Sequence, residues 1–325
     1  MRRLAAHIIL FLFFSLSCAA QHPGFYMGFD QILDNREYFT PLAEHQTIFG
    51  ARLNPGLSFS FDSVHSIHAG INYMYEYGGK LLGVDPQIDL YYSYNSENLQ
   101  LFFGSFPRRE LMDYPLFLMT DSLDYYRPNM EGASARYTWE WGSVHSWVDW
   151  TGRATEDTRE SILAGIDATF RADIFYFSII TTRYHLARSK APVNQDRIRD
   201  DGSILLLAGI DLSDRIPLDI FNVSSGLATT YERAKPADYE FFNGWLSKLD
   251  LKKSIIGIRG TYYLGGSSPL LYGDPLYSSG NYGRVDLYVD PFRNPRISAK
   301  IGWNFHILPG DGLYHSQQIL IHITL

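Results

Sequence analysis

Residues 49–62 read FGARLNPGLSFSFD and alternate between apolar and polar side chains. The odd-numbered positions carry phenylalanine, alanine, leucine and proline, while the even-numbered positions carry glycine, arginine, asparagine, serine and aspartate. Successive side chains of a β-strand point to opposite faces of its sheet. This stretch therefore predicts a strand with one face suited to lipid and one suited to water.

The same alternation recurs along most of the chain, for example in IHAGINYMYEYG at 67–78 and ISAKIGWNFHI at 297–307. Helical periodicity is hard to find. Counting the alternating segments predicts sixteen strands. They lie near 24–34, 47–62, 64–79, 86–95, 99–107, 131–141, 143–152, 159–170, 173–187, 201–213, 217–232, 241–250, 254–265, 282–292, 296–307 and 313–325.

The connections between these strands alternate between short turns and long loops, as in single-chain bacterial barrels with both termini on the periplasmic side. We therefore predict an all-β fold, a transmembrane antiparallel up-and-down β-barrel of about sixteen strands, with fourteen and eighteen left open because boundaries are imprecise. A soluble β-sandwich also has many short alternating strands. A soluble sandwich explains less well why the polar strand faces of this chain are dominated by glycine, serine, asparagine and tyrosine.

The N-terminus has the features of an export signal. Met1-Arg2-Arg3 is basic, residues 8–16 are mostly apolar, and small residues follow at 17–20. This pattern predicts a cleaved signal peptide at 1–20 and a mature barrel at 21–325. Cys18 is the only cysteine, and its lipidation is left open. Cleavage of the signal would remove Cys18, so the mature protein could form no disulfide, no thiolate metal site and no cysteine nucleophile.

Export and a barrel together predict the outer membrane of a Gram-negative bacterium. The expected partners are outer-membrane lipid and the barrel-assembly machinery, which reads an amphipathic final strand such as the one ending at Leu325; a homo-oligomer is left open. The chain carries 28 basic and 35 acidic residues, a net charge of -7, with no long block of either sign. This balance argues against nucleic acid as a partner.

Charged side chains on the polar strand faces are candidates for lining a pore, where they would set solute preference through the local field. The alternative is that they pair with one another inside a narrow or plugged lumen. The candidates are Arg52, Arg136, Glu140, Arg259, Arg284 and Asp286.

The longest connection, 108–130, is rich in leucine, methionine and tyrosine as well as charge. Long loops of this kind are usually functional or disordered, and this composition argues against disorder. We expect it to fold into the lumen and constrict it, with an ordered surface cap as the alternative. Its candidate constriction residues are Arg108, Arg109, Asp113, Asp121, Asp124 and Arg127.

Four short motifs resemble an uncharacterised, porin-like group of outer-membrane barrels from the Bacteroidota. The resemblance covers nearly the full length and implies a fold and a membrane, without a substrate. The motifs are Asp34-Asn35-Arg36-Glu37-Tyr38, Asp113-Tyr114-Pro115, Tyr125-Tyr126-Arg127-Pro128-Asn129 and Trp147-Val148-Asp149-Trp150.

The resulting functional hypothesis is a porin-like channel for small hydrophilic solutes. The alternative is a non-conducting barrel that binds a surface glycan or a partner protein through its outer loops. Neither an enzyme nor a cofactor is expected. His145 and Ser146 are neighbours on a strand and point to opposite faces, so they cannot form a catalytic pair. His65 and His68 face opposite ways for the same reason, which argues against a metal site.

Overall fold

The computed structural model describes residues 22–109, 111–156, 158–189 and 197–325. The predicted signal peptide at 1–20 lies outside these residues. None of the helices in the described ranges is both long enough and apolar enough to span a membrane.

Sixteen antiparallel strands form one closed barrel, in which each strand pairs with its neighbours in sequence and β1 closes onto β16. The predicted fold class and strand number are confirmed. The strands are β1 (His22–Glu37), β2 (Gln46–Ser60), β3 (His65–Glu76), β4 (Gln87–Asn95), β5 (Leu99–Pro107), β6 (Asn129–Trp139), β7 (Gly142–Gly152), β8 (Ser161–Ala172), β9 (Phe175–Leu186), β10 (Arg199–Asp211), β11 (Ile220–Ala234), β12 (Glu240–Lys253), β13 (Ile256–Gly265), β14 (Asn281–Arg293), β15 (Ile297–Leu308) and β16 (Gly312–Thr324).

The two ends of the barrel differ in the length of their connections. The end that carries the start of β1 and the end of β16 has mostly tight turns, and we call it the inner end. In the β2–β3 turn the Asp62 carboxylate accepts hydrogen bonds from the backbone N–H groups of Val64 and His65, both at 2.8 Å. The opposite, outer end carries the longest connections, including 108–128 between β5 and β6 and 266–280 between β13 and β14.

The outer wall is apolar, as the opening stretch predicts. Phe49, Leu53 and Leu57 are 44%, 46% and 45% exposed, whereas Arg52 between them is 2% exposed. Apolar side chains thus face outward all along β2 while the charged group faces the lumen. The barrel wall is therefore the surface that contacts membrane lipid.

The connection 108–128, which we call the inward loop, lies inside the barrel and contains the short helix α1 (Asp121–Tyr126). A 3-10 helix (Pro275–Ser279) in the β13–β14 connection packs beside it. Together with inward-facing strand residues, the two segments form an apolar core within the lumen. Its members include Leu111, Phe117, Leu118, Leu123, Leu163, Leu205, Leu207, Leu246, Tyr263, Leu276 and Tyr277.

This core corrects the expectation that every inward face is polar. Leu163, Leu205 and Leu207 face inward on β8 and β10 and are almost fully buried. They are apolar because the inward loop brings Phe117 and Leu118 into the same space, and apolar groups gain free energy by leaving water together. The inward loop is therefore a packed part of the barrel, not a surface cap.

An ion pair anchors the inward loop where it leaves β5. The Arg108 guanidinium lies 2.5 Å from the Asp149 carboxylate on β7, and both side chains are almost completely buried. At the other end of the loop, Arg127 donates to the Thr151 carbonyl at 2.6 Å and lies 3.7 Å from Asp149. One buried carboxylate thus holds both ends of the loop against the same strand.

Arg108→Met is expected to lower the free energy of unfolding by about 3–5 kcal/mol, because it leaves the Asp149 charge buried without its closest partner. Urea titration in phospholipid vesicles, followed by tryptophan fluorescence, measures the change. Arg215→Met is the control, since the Arg215–Asp173 pair is exposed and is expected to contribute about 1 kcal/mol or less. Equal effects of the two substitutions on the free energy of unfolding would contradict the conclusion that the Arg108–Asp149 ion pair anchors the inward loop.

Candidate functional site

Three histidines in the lumen each connect a hydroxyl group to a second polar group, and the first of these relays is the most complete. The Ser134 hydroxyl lies 2.8 Å from His145 Nε2, and His145 Nδ1 lies 2.9 Å from the Asp167 carboxylate. The three residues belong to the adjacent strands β6, β7 and β8, and His145 stands directly opposite Asp167. This is a serine, a base and an orienting carboxylate in hydrogen-bonded order.

The inward loop covers this first relay. Ser134 and His145 are 3% and 1% exposed. The Tyr114 hydroxyl of the loop donates to Asp167 at 2.8 Å and accepts from Trp147 Nε1 at 2.7 Å. Burial, with the Asp167 charge nearby, raises the pKa of Tyr114, so its hydroxyl stays protonated and remains a donor. The loop is therefore latched onto the relay through one tyrosine.

Such an arrangement is suited to acyl transfer. A serine hydroxyl becomes nucleophilic when an adjacent imidazole accepts its proton, and a carboxylate on the other ring nitrogen holds the imidazole in the correct tautomer. Trp147 stands directly opposite Ser134 in the β6–β7 ladder. Its ring N–H is the group that donates to Tyr114.

A second relay joins β1 and β16. The Thr324 hydroxyl lies 2.8 Å from His322 Nε2, and His322 Nδ1 lies 2.6 Å from Asp30. Arg109 of the inward loop donates to the same Asp30 oxygen at 2.7 Å. Asp30, His322 and Arg109 border a cavity of about 330 Å³.

A third relay lies toward the outer end and lacks a carboxylate. The Ser316 hydroxyl is 3.2 Å from His306 Nε2, and the Tyr282 hydroxyl is 2.6 Å from His306 Nδ1. In the described part of the chain, no group of three or more histidine, cysteine or carboxylate side chains is arranged to hold a metal ion.

Most of the strand charges predicted to line a pore are engaged with other groups. Arg52 contacts Asp30 at 3.3 Å and donates to backbone carbonyls of α1. Arg136 donates to the Leu111 carbonyl. The remaining pairs are Arg259 with Asp250 at 2.8 Å and Arg284 with Asp286 at 2.5 Å.

Glu140 does not face the lumen, because β6 ends at Trp139 and Glu140 lies exposed in the tight turn before β7. Of the predicted loop residues, Asp121 accepts from Gln318 at 2.9 Å. Asp124 is partly buried near Arg52, and burial raises the pKa of its carboxyl group. Asp113 is exposed. Arg108, Arg109 and Arg127 form the ion pairs described above.

A family model described as lipid A 3'-O-deacylase-type matches residues 26–311. The chain belongs to this family. The matched segment contains Ser134, His145 and Asp167, whereas Ser316, His322 and Thr324 lie beyond it. The first relay is thus the one that lies wholly within the family's part of the chain.

Family membership corrects the functional predictions. The family is named for an enzyme activity, so the prediction that the chain is not an enzyme is wrong. The porin-like channel and the non-conducting glycan- or protein-binding barrel are overturned by the same finding. The resemblance to outer-membrane barrels holds for the fold, and porin activity is not supported.

Solved structures with the same architecture are distant in sequence. The loop L8 deletion mutant of OmpT, an outer membrane protein of Vibrio cholerae, has a TM-score of 0.60 at 10% identity over 94% of this chain and 99% of that chain. An anion-selective porin from Comamonas acidovorans has a TM-score of 0.56 at 9% identity over 94% and 100%. No curated protein sequence matches the chain significantly. The predicted location, the outer membrane of a Gram-negative bacterium, is confirmed.

Sequence reasoning missed the first relay because it compared His145 only with its neighbour Ser146. The partners of His145 lie on the two adjacent strands. One signal was available: the tight turn at 140–141 fixes the register of the β6–β7 hairpin. Counting back from it places Ser134 opposite Trp147, one inward-facing position away from His145.

Labelling tests whether the inward loop covers the relay. With Cys18 replaced by serine, Ser134→Cys is expected to react with a water-soluble maleimide at least about 100-fold more slowly than Asp113→Cys, because local opening must precede reaction. The rate of mass increase in the folded, detergent-solubilised protein is the measurement. Similar rates at the two positions would show that the relay is open to water.

Proposed function

We propose that this chain hydrolyses an ester-linked acyl chain of a lipid A-type glycolipid, with Ser134 as the nucleophile. The observation that carries the proposal is the hydrogen-bonded order of Ser134, His145 and Asp167 within the segment that the family model matches. The relay supports a reaction class, and the family description supports the substrate class.

The chemistry follows from the positions of the three side chains. Ser134 Oγ attacks the ester carbonyl carbon while its proton passes to His145 Nε2. Asp167 accepts a hydrogen bond from Nδ1 and stabilises the imidazolium. The bond between the carbonyl carbon and the sugar oxygen breaks, which leaves the acyl chain esterified to Ser134. The departing sugar alkoxide takes the proton from His145. Water, activated by the same imidazole, then releases the fatty acid from Ser134.

Substrate entry requires the inward loop to withdraw from the relay. A cavity of about 450 Å³, lined in part by Tyr114, Arg136 and Asp167, already adjoins it. When Tyr114 moves away, Trp147 Nε1 loses its present acceptor and becomes free to donate to a bound substrate. We assign it the task of donating to the oxyanion, because a preorganised donor stabilises the charge that develops on the carbonyl oxygen.

Ser134→Ala and His145→Asn are each expected to slow acyl release at least about 1000-fold, since loss of either member removes the activated nucleophile. The assay incubates the purified protein with lipid A in mixed micelles and follows free fatty acid and deacylated product by mass spectrometry. Ser316→Ala and Thr324→Val, which alter the other two relays, are the matched controls and are expected to retain activity.

The outcomes separate the alternatives. Full activity in Ser134→Ala would remove the first relay from the reaction. Loss of activity in Ser316→Ala or Thr324→Val alone would transfer the role to that relay. A folded wild-type protein that releases no fatty acid from lipid A would overturn the proposed function.

Tyr114→Phe is expected to increase the initial rate by up to about tenfold, because a hydrogen bond to a charged group that closes the loop is lost. Tyr126→Phe is the control. Tyr126 belongs to the same loop and donates to a carboxylate, Glu76, at 2.6 Å, away from the relay. A slower Tyr114→Phe enzyme beside an unchanged Tyr126→Phe enzyme would show that Tyr114 takes part in catalysis and does not restrain the loop.

A further inference from the structure

An arginine cluster lies on the outward face of the barrel near its outer end. The Asp200 carboxylate has no exposed surface although its strand position faces outward. Arg183, His185 and Arg233 cover it: Arg183 lies 3.2 Å and His185 2.8 Å from one carboxylate oxygen, and Arg233 donates to the other. Because two guanidinium groups share one carboxylate, the cluster keeps a surplus positive charge.

The cluster lies at the depth of lipid headgroups. Asp200 is the second residue of β10 and Arg233 the next to last of β11, so both are at the outer rim. Arg233 stacks on Tyr239 at 4.2 Å, and Tyr239 contacts the exposed Phe241. Aromatic side chains collect where the hydrocarbon layer meets the polar headgroups. The Arg183 side chain, 56% exposed, thus presents its charge at that level.

An apolar groove crosses the outer wall from β11 to β5, along residues that pair across neighbouring strands, such as Arg183 with Ala164 and Val148 with Ala133. It has a volume of about 600 Å³, and Arg183 and Tyr231 line it at the end nearest the arginine cluster. Along β6, β7 and β8 the outward-facing side chains in the groove are mostly small, so the wall is concave there. The small residues are Ala133, Ala135, Ser146 and Ala164.

We propose that the groove and the arginine cluster together bind a phosphorylated glycolipid of the outer leaflet, with an acyl chain in the groove and a phosphate on Arg183 and Arg233. Guanidinium groups bind phosphate through paired, charge-assisted hydrogen bonds. The surplus positive charge at one end of an apolar groove complements an anionic headgroup that carries an acyl chain. A neutral lipid would fill the groove and leave the surplus positive charge without an anionic partner.

This site is independent of the proposed hydrolysis. Ala133 and Ala135 face the groove, while Ser134 between them faces the lumen. A lipid held in the groove therefore has the barrel wall between it and the nucleophile. The groove binds lipid whether or not the relay cleaves esters.

Native mass spectrometry of the full chain in detergent tests the proposal with three probes: bisphosphorylated lipid A, the same lipid A without its phosphates, and phosphatidylglycerol. We expect the wild type to bind phosphorylated lipid A about tenfold more tightly than the dephosphorylated form. Arg183→Gln is expected to abolish that preference, since losing a hydrogen bond between a guanidinium group and a phosphate weakens binding by about tenfold. The control, Arg215→Gln, alters an exposed arginine outside the groove.

Ala164→Trp fills the groove and leaves the arginines intact, so it is expected to weaken binding of both lipid A forms. Ala168→Trp, on the same strand and outside the groove, is its control. Heat-modifiable migration in gels establishes that each variant is folded. Three outcomes would each overturn the proposal. They are equal binding of phosphorylated and dephosphorylated lipid A, binding that neither Arg183→Gln nor Ala164→Trp alters, and tighter binding of phosphatidylglycerol than of phosphorylated lipid A.

Discussion

The buried contact between Arg108 and Asp149 is the interaction on which the interior depends. Closing sixteen strands encloses more space than the strand side chains can fill. This chain fills the space with its longest connection, and a segment placed in a barrel lumen has to be fixed at its ends. Asp149 contacts the arginines at both ends of that connection, so both ends are held against β7.

Once the inward loop is in place, the lumen divides into two environments. On the side of β8, β10 and β12, leucines pack against Phe117 and Leu118 and exclude water. On the side of β1 and β16, Asp30 and His322 keep the polar character expected of a barrel interior. Hydrogen bonds strengthen in a dry, low-dielectric setting. The Ser134 relay lies in such a setting, because the loop covers it.

The strands β6 to β8 serve different purposes on their two faces. Alternate residues carry the relay into the lumen, and the residues between them form the small-residue groove on the lipid side. The two sites are therefore neighbours in sequence and separated in space by the barrel wall. The outward carboxylate of Asp200, on β10, lies on the same lipid side of the wall, where Arg183 and Arg233 cover it.

The sequence by itself determined the alternation of each strand, the number of strands, the order of short and long connections and the apolar outer wall. These features follow from the two-residue period of a β-strand, which is a local property. It did not determine the apolar core of the lumen, the exposed turn position of Glu140 or the relay around His145. Those depend on which residues of different strands and loops meet. The β6–β7 hairpin brings Ser134 to His145, and the contact of Tyr114 with Asp167 forms only when the inward loop lies inside the closed barrel.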